Sequence, residues 1–324
     1  MELTSVATPV FWVGFIVFVL AMLAIDLFAL GGKTAHRVST REAAGWTFTW
    51  VSLALAFSGL LWWWLDGSLG RDVANGKALE FLTGYLIELS LSVDNVFVFI
   101  MLFSFFAVPP EYQRRVLLFG VLGAIVLRIV MILAGAVLVA RFHWILYVFG
   151  AFLVVTGVKM LLFADKTSDL NQNPVLRWMR GHMRITDAYH GERFTVVEKG
   201  VRWFTPLFLV LVLIEISDLI FAVDSIPAIF AITTDPFIVF TSNIFAIMGL
   251  RAMFFLLADL SSRFHLLKYG LALVLVFVGV KMLIMDLYKV PIGLALGGVA
   301  VILAVSVIAS LVATRKPIAA KRAS

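Results

Sequence analysis

Long apolar runs separated by short polar segments dominate this chain. Nine runs stand out, over 9–30, 43–65, 79–108, 116–140, 144–163, 205–234, 237–258, 266–286 and 291–313. About 20 apolar residues suffice for a helix to cross a hydrocarbon core ~30 Å thick. The pattern therefore predicts an all-α polytopic membrane protein with about nine transmembrane helices. The third and sixth runs are longer than a crossing needs: 30 residues at ~1.5 Å each reach ~45 Å. They must tilt, protrude or break.

The same two runs carry acids. Glu215, Asp218 and Asp224 lie well inside the stretch from Thr205 to Thr234. An ionised carboxylate at the bilayer centre costs ~2.5 kcal/mol or more, so three in one run need a reason. Pro227 has no N–H for the carbonyl of Val223, and its ring crowds that turn; a kink or opening beside Asp224 is expected. Residues 87–96, IELSLSVDNV, align without a gap on 217–226, SDLIFAVDSI, placing Glu88 on Asp218 and Asp94 on Asp224. In each copy the two acids are six residues apart, which on an unbroken helix leaves them ~120° apart. Convergence on one point would require unwinding between them. Ser90, Ser92 and Asn95 suit such a break, because short polar side chains can cap freed backbone groups. Glu215 and Asp218, three apart, already share a face.

The repetition extends further. RFHWILYVFGAFLVVTGVKML (141–161) matches RFHLLKYGLALVLVFVGVKML (263–283) at 11 of 21 positions, and Arg128 corresponds to Arg251. Runs three to five thus recur as runs six to eight. Three crossings separate the copies, so they traverse the membrane in opposite directions: an inverted 3+3 repeat, an arrangement on which transporters build midplane sites. The expected organisation is 1–78, two N-terminal helices; 79–163, the first three-helix repeat; 164–204, a basic loop; 205–286, the second, inverted repeat; and 287–324, a last helix and basic tail.

Composition and charge refine this picture. Of 324 residues, 62% are hydrophobic and 14% charged, with a mean hydropathy of +1.03; soluble chains carry about 25% charged residues. Lys and Arg alternate between the connecting segments, 17 on one side and four on the other. By the positive-inside rule the N-terminus faces out and the C-terminus the cytoplasm. The net charge of +6 follows from these loops and does not point to nucleic acid. The first run lacks a positive n-region and a cleavage site and reads as an uncleaved helix. With no cysteine, disulfides and thiolate chemistry are excluded. In 164–203, RWMRGHMR suits a short basic surface helix, and RFTVVEKGVRW a hairpin around Lys199-Gly200. This segment reads as a solvated linker or as a contact for lipid headgroups or regulators.

Five intramembrane carboxylates, Glu88, Asp94, Glu215, Asp218 and Asp224, cannot all stay charged alone. They must bind a metal ion, hold protons or pair with arginine. The five histidines lie in or beside loops. Carboxylate, amide, hydroxyl and backbone oxygen donors suit Mg²⁺, Mn²⁺ or Ca²⁺, and sulfur from Met101 or Met248 would tilt the choice toward Mn²⁺. Asn95, Ser225, Asn243, Arg128 and Arg251 are supporting candidates. A purely structural network with Arg128 and Arg251 is the alternative, although two arginines cannot neutralise five acids. Asn243 suits an interhelical hydrogen bond or a ligand. Lys159 and Lys281 suit snorkelling to the interface, Asp26 an interfacial position, and the WWWL run at 62–65 an aromatic belt. No catalytic motif is present, so the expectation is a non-enzyme without a prosthetic group.

ELSLSVDNVF (88–97) and EISDLIFAVDSIPAIFAITTDPF (215–237) resemble the TerC/Alx family of bacterial integral membrane proteins. LTGYLIE (82–88), TSNIFAIMGLRAMFFLL (241–257) and LKYGLALVLVFVGVKMLI (267–284) fit its Alx branch, and the resemblance covers nearly the whole chain. It implies Mn²⁺ efflux across the inner membrane, with Asp94 and Asp224 as transport acids and Glu88, Glu215 and Asp218 around them. The acids add an expectation of exchange for protons, since clustered carboxylates raise one another's pKa. The expected partners are a divalent metal ion, Mn²⁺ before others, and membrane lipid. The alternative is a membrane scaffold or metal-delivery partner acting in tellurite or envelope stress.

Overall fold

The computed structural model describes residues 5–29, 39–142, 144–163, 173–258, 266–288 and 290–322; the side chains of 26–29, Asp94, 163 and 314–322, and with them the expected role of Asp26, lie outside that description. Prolines open several helices, at the first positions where a missing N–H costs nothing. They begin α1 (Pro9–Ala29), α4 (Pro110–Arg141), α6 (Pro174–His182), α7 (Pro206–Phe230) and α8 (Pro236–Ala258). Ser39 caps α2 (Thr40–Leu69), accepting from the Glu42 N–H at 3.3 Å. Gly70, at φ 93°, separates α2 from α3 (Arg71–Phe105). α5 (Ile145–Phe163), α9 (Leu267–Leu283) and α10 (Ile292–Arg322) complete the helices, so every hydrophobic run contains a helix. Among the described residues, α2, α3, α4, α5, α7, α8 and α10 are long and apolar enough to cross a membrane. α9 and the described apolar part of α1 are shorter.

Between α5 and α7 lies a small unit of α6 and a hairpin. α6 turns Leu176 and Met179 into the bundle and leaves Trp178 outside. β1 (Thr195–Glu198) pairs antiparallel with β2 (Val201–Phe204). The two-residue turn has Lys199 at φ 51° and Gly200 at φ 78°, the left-handed pair that matches strand twist. Both elements agree with the sequence expectation for this segment.

The expected breaks in the acidic helices are not found. α3 remains helical from Arg71 to Phe105 and α7 from Pro206 to Phe230, through Pro227. Of the two serines suited to a break, Ser90 bonds back into its own helix, and Ser92 Oγ is buried with no partner among the described residues. Ser90 donates to the Leu86 carbonyl at 2.6 Å and Ser217 to that of Leu213 at 2.7 Å. Pro227 leaves the Val223 carbonyl without its i→i−4 donor, yet the helix continues past it for one turn, to Phe230. α3 accommodates its length by extending to Arg71 rather than by breaking.

α3 is the hub, packing on α2, α7, α8 and α10. α7 packs on both α3 and α4. α5 and α9 meet backbone to backbone through glycines. A Cβ on Gly157 would stand 2.7 Å from the Ala272 carbonyl and 2.8 Å from Val276 Cγ2. One on Gly279 would stand 2.8 Å from the Gly150 carbonyl and 2.9 Å from Val154 Cγ2. The two helices therefore run antiparallel here, each presenting the same positions of the aligned segments to the other. Such close approach through small residues is how apolar helices associate within a membrane.

Candidate functional site

Because α3 and α7 are unbroken, the residues sharing a face with Glu88 and Asp218 lie seven positions on, about two full turns. These are Asn95 and Ser225. The four converge on Arg128 of α4, and all five are buried, none more than 2% exposed. The guanidinium donates through Nη1 to Glu88 Oε1 and, at 2.7 Å, to Ser225 Oγ. It reaches Asp218 through Nε (3.4 Å) and Nη2 (3.3 Å). Asn95 Nδ2 donates to Asp218 Oδ1 at 3.3 Å. One arginine thus bridges one acid from each aligned copy. It offsets one of two carboxylate charges and leaves a net negative core.

The cluster is also unsaturated. Among the described residues, Glu88 Oε2, Asn95 Oδ1, Ser92 Oγ and both polar atoms of Asn243 are buried without a hydrogen-bond partner. Unmet buried polar atoms cost about 1–3 kcal/mol each and are few in folded proteins. The interhelical hydrogen bond expected of Asn243 is therefore absent.

Beside the cluster lies a cavity of ≈ 20 Å³, enough for one water-sized occupant. Asn95, Arg128, Asp224 and Ser225 supply its polar lining, and Met160 closes one side. Asp224 is half-buried and stands near Thr156 and Lys159 of α5. Lys159 itself is exposed. Lys281, its counterpart in the second copy, is engaged within the bundle: its Nζ donates to the Ala231 carbonyl at 2.9 Å, at the α7 C-terminus.

The remaining candidates are more dispersed. Glu215 is half-buried, its carboxylate lying over Gly123 of α4 where a Cβ would collide with it. Asp94 lies in the unbroken part of α3, and its side chain is outside the described set. Arg251 is half-buried on α8. Met248 is buried and Met101 is 36% exposed; the methionine at the cavity is Met160. Among the described residues, no three acids or histidines gather in a metal-binding group. Thr156 and Met160 escaped notice in the sequence, the only signal being their place in the segment that repeats at 263–283.

In the WWWL run, only Trp63 faces outward strongly, at 69% exposure. Trp62 donates to Asn75 Oδ1 at 2.8 Å under Arg71, and Trp64 packs on Phe11.

Comparison with known proteins is consistent over most of the chain. The profile described as "Integral membrane protein TerC family" matches residues 73–317. A Salmonella typhi protein named "Putative membrane-bound redox modulator Alx" is 57% identical over 306 residues, 94% of this chain and 95% of its own. Its namesake in Escherichia coli K12 is 58% identical over 295 residues, 91% and 92% of the two chains. A membrane protein of Myxococcus xanthus is 51% identical over 311 residues, 96% and 95%. No solved structure shows a significant match. The chain belongs to the TerC family of integral membrane proteins.

Proposed function

We propose that this protein is a secondary transporter, not an enzyme, that exports Mn²⁺ across the bacterial inner membrane in exchange for protons. In this reading α1–α5 and α7–α10 make nine crossings, N-terminus outside and C-terminus cytoplasmic, with α3–α5 and α7–α9 as inverted repeats. The antiparallel glycine contact of α5 and α9, which pairs aligned positions reciprocally, supports the repeat. One observation carries the functional reading. Glu88 and Asp218, aligned between the copies, are buried together with incomplete charge compensation and an open oxygen on Glu88.

The donors present are oxygens, which suits a hard divalent ion as cargo. Arg128 holds the acids when the cargo is absent and gives way when it binds. Asp224, on the adjoining cavity, and Asp94 and Glu215 complete the carboxylate path. When Mn²⁺ leaves, protons replace its charge on the acids, which keeps the core from being left with several bare carboxylates. The relatives' name speaks of redox modulation. A chain without cysteine has no thiol for such a role, whereas control of a redox-active metal ion provides one.

Inside-out vesicles loaded with wild type should take up Mn²⁺ under a proton gradient. Asp94→Ala, Asp224→Ala and Glu88→Gln should reduce uptake at least tenfold at equal protein, the scale of ~1.4 kcal/mol in site affinity. Uptake unchanged in all three variants ends this reading.

The second reading, a scaffold or metal-delivery partner, is favoured by the basic α6–hairpin unit, where Arg180 and Arg184 pair with no acid among the described residues. Purified protein in liposomes separates the two. Ion movement by the protein alone supports the transporter; movement only with an added partner supports the scaffold.

A further inference from the structure

A second site lies away from the buried acids, where the α6–hairpin unit meets the ends of α3 and α7. There a crevice of ≈ 670 Å³ opens, with Phe106 of the α3–α4 turn and Leu209 of α7 among its apolar lining. Arg180, Arg184, Trp203 and Asp187 line it as well. Both guanidiniums are exposed and, among the described residues, pair with no carboxylate, including Asp187. Two hydroxyls in the crevice are already committed. Thr186 donates to the Ala188 carbonyl at 3.0 Å and Tyr189 to that of Phe106 at 2.7 Å. The free donors are therefore the two guanidiniums and the Trp203 indole N–H, in a crevice that also has an apolar lining.

We propose that this crevice binds the phosphodiester headgroup of an anionic phospholipid. Two forked guanidiniums match phosphate oxygens in geometry and charge. The apolar lining suits the glycerol and upper acyl chain, which a free anion lacks. The position fits as well: Phe106 and Pro206 mark where two apolar helices end and start, the level at which headgroups lie. Basic pockets at the ends of transmembrane helices take anionic headgroups for these reasons. α6 adds to the fit, with Leu176 and Met179 anchored below and Trp178 exposed beside the arginines. An occupant here would clamp the loop unit onto the ends of α3 and α7, the two helices that carry Glu88 and Asp218.

The test uses the full chain in nanodiscs of phosphatidylcholine with a minor share of phosphatidylglycerol, released for native mass spectrometry. Wild type should retain phosphatidylglycerol in preference to phosphatidylcholine. Arg180→Gln with Arg184→Gln should retain it about thirty-fold less, two basic contacts at ~1 kcal/mol each and ~1.4 kcal/mol per tenfold. The paired Lys substitutions should keep most of the retention. Arg177→Gln, on the same helix but outside the crevice, should retain as wild type does. Equal retention by wild type and the double Gln variant, with both melting alike in detergent, overturns the proposal. So does a loss in Arg177→Gln as large as in the double variant, which would make the binding general surface charge. In a third arm, displacement of the lipid by millimolar inorganic phosphate would mark a free-anion site and overturn the lipid assignment.

Discussion

Two acidic clusters in this protein are built from the same residue types and finished differently. At the turn between α7 and α8, Asp235 and Glu80 keep no buried oxygen without a partner. Asp235 Oδ1 accepts from the Phe237 N–H at 3.0 Å, and Oδ2 from the Val6 N–H at 3.0 Å, with Lys77 at 3.8 Å. Glu80 accepts from Lys77 at 2.8 Å and from Thr233. Around Arg128, by contrast, Glu88, Asn95 and Ser92 each keep a polar atom unmet, although this cluster is the more deeply buried. A saturated network fixes structure, here tying the N-terminal segment, α3 and the α7–α8 turn together. A half-met network in low dielectric is costly and persists where something else completes it. The first cluster reads as a fastening and the second as a receptor.

That contrast breaks most visibly at Arg128. Arg128→Ala leaves Glu88 and Asp218 buried and facing one another without a cation. Removing one partner of a buried charge group costs about 3–5 kcal/mol, so the melting midpoint in detergent should fall sharply. Adding Glu88→Gln and Asp218→Asn to the same variant removes the stranded charges and should restore much of the loss. If the single variant melts with wild type, the guanidinium is not compensating these acids, and the distinction between the clusters fails.

The next test crosses stability with function. Asp235→Ala removes a helix cap and the bond to Val6; loss of such a cap costs about 0.5–2 kcal/mol. Its stability should drop by about that amount, while Mn²⁺ uptake per folded protein stays near wild type. Glu88→Gln should show the reverse. Its amide oxygen can still accept from Arg128, and Asp218 still balances the guanidinium, so the melting midpoint should move by less than ~1 kcal/mol. Its uptake should be largely lost. Equal behaviour of the two variants, in either measurement, removes the reason for calling one cluster structural and the other functional.

Most of the architecture was legible from the alternation of apolar and polar stretches, because a bilayer forces long helices on any chain that crosses it. The hairpin was legible for a local reason: Lys199-Gly200 is flanked by alternating residues, and that alternation sets the turn. The acids were legible as outliers, and aligning 87–96 with 217–226 paired Glu88 with Asp218, as the fold does. What misled was the step from acids to broken helices. That inference assumed that both acids of each copy must meet at one point. An unbroken helix instead pairs position 88 with 95 and 218 with 225, so Asn95 and Ser225 join the centre while Asp224 turns to the adjoining cavity. Ser90 gave no warning, since a hydroxyl that bonds back to its own helix looks the same in sequence as one that caps a break. Lys281 misled similarly: which carbonyl lies within reach of a lysine depends on the neighbouring helix.

The smallest expected effect concerns how firmly the α6–hairpin unit is seated. The Tyr189 hydroxyl donates to the Phe106 carbonyl at 2.7 Å, joining this unit to the end of α3. Partial burial raises the pKa of Tyr189 above its ordinary value of about 10. The sign follows from which form the fold prefers. Folding favours the neutral phenol, which alone can donate this bond. The contribution is therefore fully present below the unfolded pKa of about 10 and is lost as pH rises through the higher folded value. Tyr189→Phe should cost about 0.5–1.5 kcal/mol at neutral pH, the net worth of one hydrogen bond. Above pH ~10 the wild-type melting midpoint should fall toward that of the variant, because the ionised phenol no longer donates. The five other tyrosines are common to both proteins, so the difference between the two curves isolates this one. Parallel curves across the alkaline range would mean that the hydroxyl does not hold the unit to α3, and that packing of Leu176 and Met179 seats it alone.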